Sequence, residues 1–183
     1  MIIAVTITGK DRPGIIAHLA KALYQSGGNL EDASMTILEG EFAMIFLAAV
    51  QNQVQQRKFL SQLGRMEKLF GLSISIKEIK HSLKRGQKHG AGTVPWIISV
   101  SGKDRAGIVY LVSKVCADHH LNITDLNSKI LGKGKQTAYA LILEVDIPKH
   151  ELKLIAKLKQ KFSGLEKKLG VKIAFNPIED SHF

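Results

Sequence analysis

The segment VTITGKDRPGII at residues 5–16 returns as ISVSGKDRAGIV at residues 98–109. Gly9, Lys10, Asp11, Arg12, Gly14 and Ile15 recur as Gly102, Lys103, Asp104, Arg105, Gly107 and Ile108, all at a shift of 93 positions. The same shift carries Asn29 and Asp32 onto Asn122 and Asp125, and sets Leu30 against Ile123. One gapless shift over that distance means two copies of one folding unit. A chain of 183 residues then divides into two small domains. We expect the first at 1–80, a basic linker at 81–93 and the second at 94–183.

Each copy predicts the same element order. Residues 2–8 are β-branched and apolar, a strand signal. Ile15, Ile16, Leu19, Ala22 and Leu23 follow at helical spacing, and Gly27-Gly28 closes that helix. Asn29 opens a second strand to about residue 38, and 42–50 form a third. A helix over about 52–70 places Leu60, Leu63, Met66 and Phe70 on one stripe. The alternating segment 72–79 directs Leu72, Ile74 and Ile76 inward. In the second copy the strands are expected at about 95–101, 122–131, 136–146 and 171–177, and the helices at 106–119 and 149–169. The fold class is α+β, with two ferredoxin-like β-α-β-β-α-β units in tandem. The third strands (FAMIFLAAV and its counterpart) are apolar on both faces. The face away from the helices is therefore expected to be covered by the other unit, a second chain or a partner.

The repeated loop has chemistry of its own. Asp11 is expected to cap the first helix, with Pro13 in its first turn. Gly14 leaves the backbone open to another molecule. A helix start with free N–H groups suits a carboxylate or phosphate. Asn29 and Asn122 open a strand expected to lie beside the first strand, close to that loop. Backbone donors facing an asparagine would suit both ends of a free amino acid. The alternative is a plain helix cap with close packing.

The pattern G-K-D-R-P-G-I, a helix, then G-N-L-E-D resembles the ACT domain, a small ligand-binding regulatory module. Two such units spanning nearly the whole chain resemble the glycine cleavage system transcriptional repressor family. The resemblance implies that amino acids bind where two ACT domains meet. By position it maps ligand contacts onto Asp11, Arg12, Pro13, Gly14, Ile15, Asn29 and Leu30 in the first unit. In the second it maps them onto Asp104, Gly107, Ile108, Asn122 and Ile123. It further implies glycine as ligand, a DNA-bound transcriptional activator as partner, and pairing of ACT domains within one chain or in a homodimer. Ala106 replaces the second loop's proline and Thr124 replaces Glu31, which points to the first loop as the working one.

Other function classes fit less well. There is no nucleophile pair, no metal-ligand spacing and no phosphate-binding Gly-Lys-Ser/Thr motif, so we expect neither enzyme activity nor a cofactor. Cys116 falls on an apolar helix face and reads as core. RNA-recognition domains share the element order and the chain carries a formal charge of +10. Their stacking aromatics are missing, because Met44 and Leu141 hold the central positions. The lysines of the last helix read first as a solvated face, and otherwise as a docking surface for an acidic partner. A regulatory subunit of an amino-acid metabolic enzyme is the remaining alternative. The sequence opens directly on a strand, carries one cysteine and has no membrane-length apolar run, so a cytoplasmic protein is expected.

Overall fold

The computed structural model describes residues 1–80, 88–132 and 137–178. Residues 81–87 of the expected linker, and the expected third-strand start at Gln136, lie outside them. The chain separates into two compact units, Met1–Gly86 and Gln87–Phe183.

In the first unit β1 (Ile2–Lys10), α1 (Ile15–Gln25), β2 (Asn29–Leu38), β3 (Glu41–Ala49), α2 (Gln53–Phe70) and β4 (Ser73–Ile79) follow the expected order. The antiparallel sheet runs β2-β3-β1-β4. Alternation sorts its faces: Ile3, Val5 and Ile7 are fully buried, while Thr6 and Thr8 are exposed. Those three pack with Phe42 and Phe46 of β3 against Leu19 and Leu23 of α1 and Phe59 and Leu63 of α2. Leu63, Met66 and Phe70 form the expected buried stripe of α2, with Phe59 added to it and Leu60 only partly buried. Ile76 pairs with Val5 on the edge strand β4 but is exposed, so the expectation that it faces inward is corrected.

The second unit repeats the plan with β5 (Thr93–Gly102), α3 (Ile108–Asp118), β6 (Asn122–Leu131), β7 (Ala138–Pro148), α4 (Leu152–Leu169) and β8 (Val171–Pro177). Its sheet order is β6-β7-β5-β8. Ile98, Val100, Leu141, Leu143 and Val145 meet Val112, Cys116, Leu158 and Phe162 in its core. On the outer faces Ile45 and Ile142 remain 51% and 49% exposed.

Several small devices are duplicated along with the sheet. Asp32 and Asp125 sit just after a register shift in β2 and β6, and each accepts from the next residue's N–H at 2.8 Å. That local bond gives the repeated aspartate a structural role. Glu67 and Glu166 reach from α2 and α4 to accept the N–H groups of Ile74 and Ile173 at 2.8 and 2.7 Å. Each so engages a strand at the sheet edge.

Candidate functional site

The repeated loop follows the last residue of β1, and again of β5. Asp11 does not cap the helix. Its N–H donates to Gly40 O at 2.8 Å, tying the loop to the β2–β3 turn. The cap is Gly14, at φ 96°, and its counterpart Gly107 is at φ 94°. Both are left-handed values that strain any side chain. Pro13 therefore precedes the cap and lies outside the first turn. Among the described residues no side chain caps α1 or α3. By contrast, Asn52 Oδ1 accepts the Gln55 N–H at 2.9 Å at the start of α2. Helix α4 also lacks a side-chain cap, so the left-handed glycine is what sets α1 and α3 apart.

Asp11, Arg12, Pro13 and Gly14 are all exposed, as are Asp104 and Gly107. Ile15 and Ile108 are buried in the two cores. Only their backbone N–H groups are left to face a ligand. The helix dipole adds about half a positive charge at these starts, and Lys10 and Arg12 flank the first.

Asn29 and Asn122 fall elsewhere. Strand β2 pairs with β3, not with β1, so the expectation that it lies beside the first strand is corrected. Asn29 is level with Ala49, and Ala49 with Ile2. The loop begins beyond Lys10, eight steps further along β1. At about 3.3 Å per residue, Asn29 is roughly 25 Å from the loop of its own unit. Its Nδ2 lies 3.4 Å from Glu31 Oε1, and neighbouring Leu30 is exposed. Asn122, level with Asp146 and Pro95, is displaced in the same way, with Ile123 half-buried beside it.

Two features were not read from the sequence. His18 lies one helical turn after Gly14, and its Nδ1–H donates to Gly14 O at 2.9 Å. Its ring packs edge-on to Phe70 at 5.0 Å. The spacing of four was the available signal. Leu111 holds the matching position in the second unit, so only the first loop is braced in this way. In the second unit a hollow of about 510 Å³ lies beside Ser101 and Gly102, against Gly170 and Val171.

The second feature involves residues assigned to a solvated connector. Lys88 Nζ lies 2.9 Å from Glu144 Oε2 and 3.2 Å from Asp125 Oδ2. The bond to Glu144 raises the Lys88 pKa above the usual lysine value. His89 Nδ1 is 2.8 Å from Asp146 Oδ1, and its Nε2 is 3.1 Å from Glu144 Oε1. Gly90 N–H donates to Asp146 Oδ2 at 2.8 Å. The segment before β5 is thus anchored on β7 through a buried carboxylate.

Among the described residues no helix is long and apolar enough to cross a membrane, and no cluster of His, Cys, Asp or Glu could hold a metal ion.

The fold and the duplicated glycine-capped loops define a tandem ACT-type regulatory protein. Residues 1–77 match the ACT domain family model. A UPF0237 protein of Pyrobaculum aerophilum is 34% identical over 83 residues, which cover 45% of this chain and 87% of that protein. A UPF0237 protein of Methanopyrus kandleri is 32% identical over 74 residues, covering 40% of this chain and 82% of that one. The chain belongs to the UPF0237 family of these relatives, and its first unit matches the ACT domain. Among solved structures, an unknown protein from Galdieria sulphuraria superposes with a TM-score of 0.77 at 26% identity, covering 97% of this chain and 98% of that one. A candidate glycine cleavage system transcriptional repressor superposes with a TM-score of 0.68 at 17% identity over 98% of each chain, a likeness of fold.

Proposed function

We propose that this chain is a cytoplasmic amino-acid sensor that regulates transcription through protein contact, without catalysis. The observation that carries the reading is the glycine-capped helix start at the end of β1. Free N–H groups there receive the ligand carboxylate. The loop wall is Asp11, Arg12, Pro13 and Gly14, with the Ile15 N–H as one donor. Asn29, beside Leu30, is too far from its own loop to touch the same small molecule. A ligand contacting both draws them from two ACT units, with a second copy of the chain as the simplest source. The first-unit loop is the working one, because Pro13 stiffens it and His18 fixes the Gly14 carbonyl. Asp104, Gly107, Ile108, Asn122 and Ile123 form the weaker counterpart.

Glycine is the first ligand to test. The support is the shared two-unit fold with a protein named for glycine cleavage control, together with a loop that offers backbone donors. A DNA-bound activator is the partner proposed on the same grounds, since among the described residues neither unit has the helix-turn-helix that would read DNA directly.

The experiment is thermal unfolding of the full chain against the twenty amino acids. A ligand at a hundred times its Kd stabilises the folded state by about 2.7 kcal/mol. Each kcal/mol raises Tm by roughly 2–4 °C in a chain of this size. Glycine, or one other small amino acid, is expected to give that shift. Gly14→Val and Asn29→Ala are expected to abolish it. A shift that survives both variants, or no shift with any amino acid, overturns the reading.

A further inference from the structure

An open groove of about 270 Å³ runs between α3 and α4 of the second unit. Leu111, Val115 and Leu165 form its apolar floor, and Lys114, Lys157 and Lys161 its rim. Lys114 is spoken for: its Nζ sits 2.8 Å from Asp118 Oδ1, one turn on. Among the described residues no carboxylate lies within ion-pair distance of Lys157 or Lys161, although Asp118, which also lines the groove, is near enough to feel the charge of Lys161. His119 adds a further basic side chain at the end of the groove.

The first unit shows what these positions do when no groove is kept. Aligned on the helix-closing glycines Gly71 and Gly170, Lys157 corresponds to Lys58 and Lys161 to Gln62. Lys58 donates to Gln25 O at the end of α1, and Gln62 Nε2 donates to Ser26 Oγ at 3.3 Å. Ala22 stands fully buried where Val115 stands in the second unit. Two cross-helix bonds thus tie α1 to α2. In the second unit the same two positions point no bond at α3, and half-buried aliphatic side chains line the gap.

We infer that the α3–α4 groove is a docking site for an acidic amphipathic helix of a partner protein. Charge complementarity selects the occupant. The exposed side of α4 carries Lys153, Lys157, Lys159, Lys161, Lys167 and Lys168. Its one acidic residue, Glu166, is engaged with the Ile173 N–H. The apolar floor then selects among anionic partners. A phosphate backbone gains from the lysines but has nothing to bury on Leu111, Val115 and Leu165. A membrane surface needs an outward apolar face, whereas α4 turns Leu158, Phe162 and Leu169 into the core. A helix with leucines on one stripe and carboxylates beside it meets both demands. The volume lies below the usual 300–1,000 Å³ of small-molecule pockets, which suits a few anchoring side chains.

The test is a fluorescence-anisotropy titration of the full chain with a library of acidic peptides carrying apolar residues at i, i+3, i+4 and i+7. Scrambled peptides of equal composition, oligoglutamate, duplex DNA and anionic vesicles serve as competing probes. It is run without amino acids, so its failure and that of the sensor reading are separate results. At least one patterned peptide is expected to bind at least tenfold more tightly than its scramble. It is also expected to shift the methyl resonances of Leu111, Val115 and Leu165. Lys157→Glu with Lys161→Glu should weaken it at least tenfold, with circular dichroism unchanged. Lys153→Glu with Lys167→Glu, an equal change of charge on the same helix, should weaken it less than threefold. The inference is overturned if no patterned peptide binds, if scrambled peptides bind equally, or if both double variants lose binding alike. It is also overturned if the groove lysines affect only DNA or vesicle binding.

Discussion

A Cβ built on Gly102 would lie 3.0 Å from the Cα of Val171 and 2.9 Å from its Cγ1. The glycine that opens the repeated loop is thus held by the close passage of β8 against β5. Its counterpart Gly9 meets Leu72 in the same way, with Leu72 Cδ2 at 2.9 Å and Gly71 O at 3.2 Å. Part of the duplicated motif is written by packing, before any ligand is considered.

Gly102→Ala is therefore expected to destabilise the second unit by about 1–3 kcal/mol, the usual range for overpacking. Gly9→Ala is expected to cost a similar amount, because a Cβ there meets buried Leu72 and the Gly71 carbonyl at a φ of 158°. Urea unfolding followed by circular dichroism measures both, with the midpoint falling and the slope unchanged.

Gly14→Ala and Gly107→Ala place a side chain at φ 96° and 94°. Each is expected to cost about 1–3 kcal/mol from backbone strain alone. Little steric crowding contributes: nothing lies within 4 Å of a Cβ on Gly107, and on Gly14 the nearest atom is His18 Nδ1 at 3.5 Å. Gly→Asn at either position should lose less than Gly→Ala, since asparagine tolerates the left-handed region better.

Asp146 is 5% exposed and accepts from both His89 and the Gly90 N–H. Asp146→Ala leaves the Gly90 N–H without its acceptor and His89 with Glu144 alone, and should destabilise by about 1–3 kcal/mol. Amide exchange at Gly90, and proteolysis between residues 88 and 92, should accelerate more than in the β5–β7 ladder. Equal protection before and after the substitution would show that the anchor does not hold.

The Cys116 side chain is fully buried, and burial pushes its thiol up from about 9 to about 11. A thiolate reagent at pH 8 is expected to label the unfolded chain only. The sign for stability follows from the raised value. The contribution is complete below about pH 9 and is lost as pH rises toward 11, where the unfolded thiol ionises first. Labelling of folded protein at pH 8 would contradict this burial.

Local patterns in the sequence fix the elements of both units. Period-two alternation in IIAVTITGK and helical spacing in IIAHLAKALYQ are properties of neighbouring residues. The elements they predict lie within a few residues of their places in both units. The Gly71 and Gly170 helix ends fall in the same class. The capping residue is not legible locally, because Asp11 and Gly14 both suit a helix start. Only the backbone angle and the Asp11 bond to Gly40 decide between them. A histidine on an exposed helix face such as His18 carries no signal until its carbonyl partner is placed.

What the sequence by itself determined is the duplication, the β-α-β-β-α-β order and the two alternating cores. Each follows from periodicity and from one constant shift along the chain. Only the tertiary structure decided that β3 separates β2 from β1, which carries Asn29 roughly 25 Å away from the loop it was expected to face. It also decided that Lys88 and His89 lie on β7, and that Lys157 and Lys161 leave a groove where Lys58 and Gln62 close one. Strand order and helix spacing depend on contacts between residues far apart in the chain. Those contacts are settled when whole faces pack, and no local pattern encodes them.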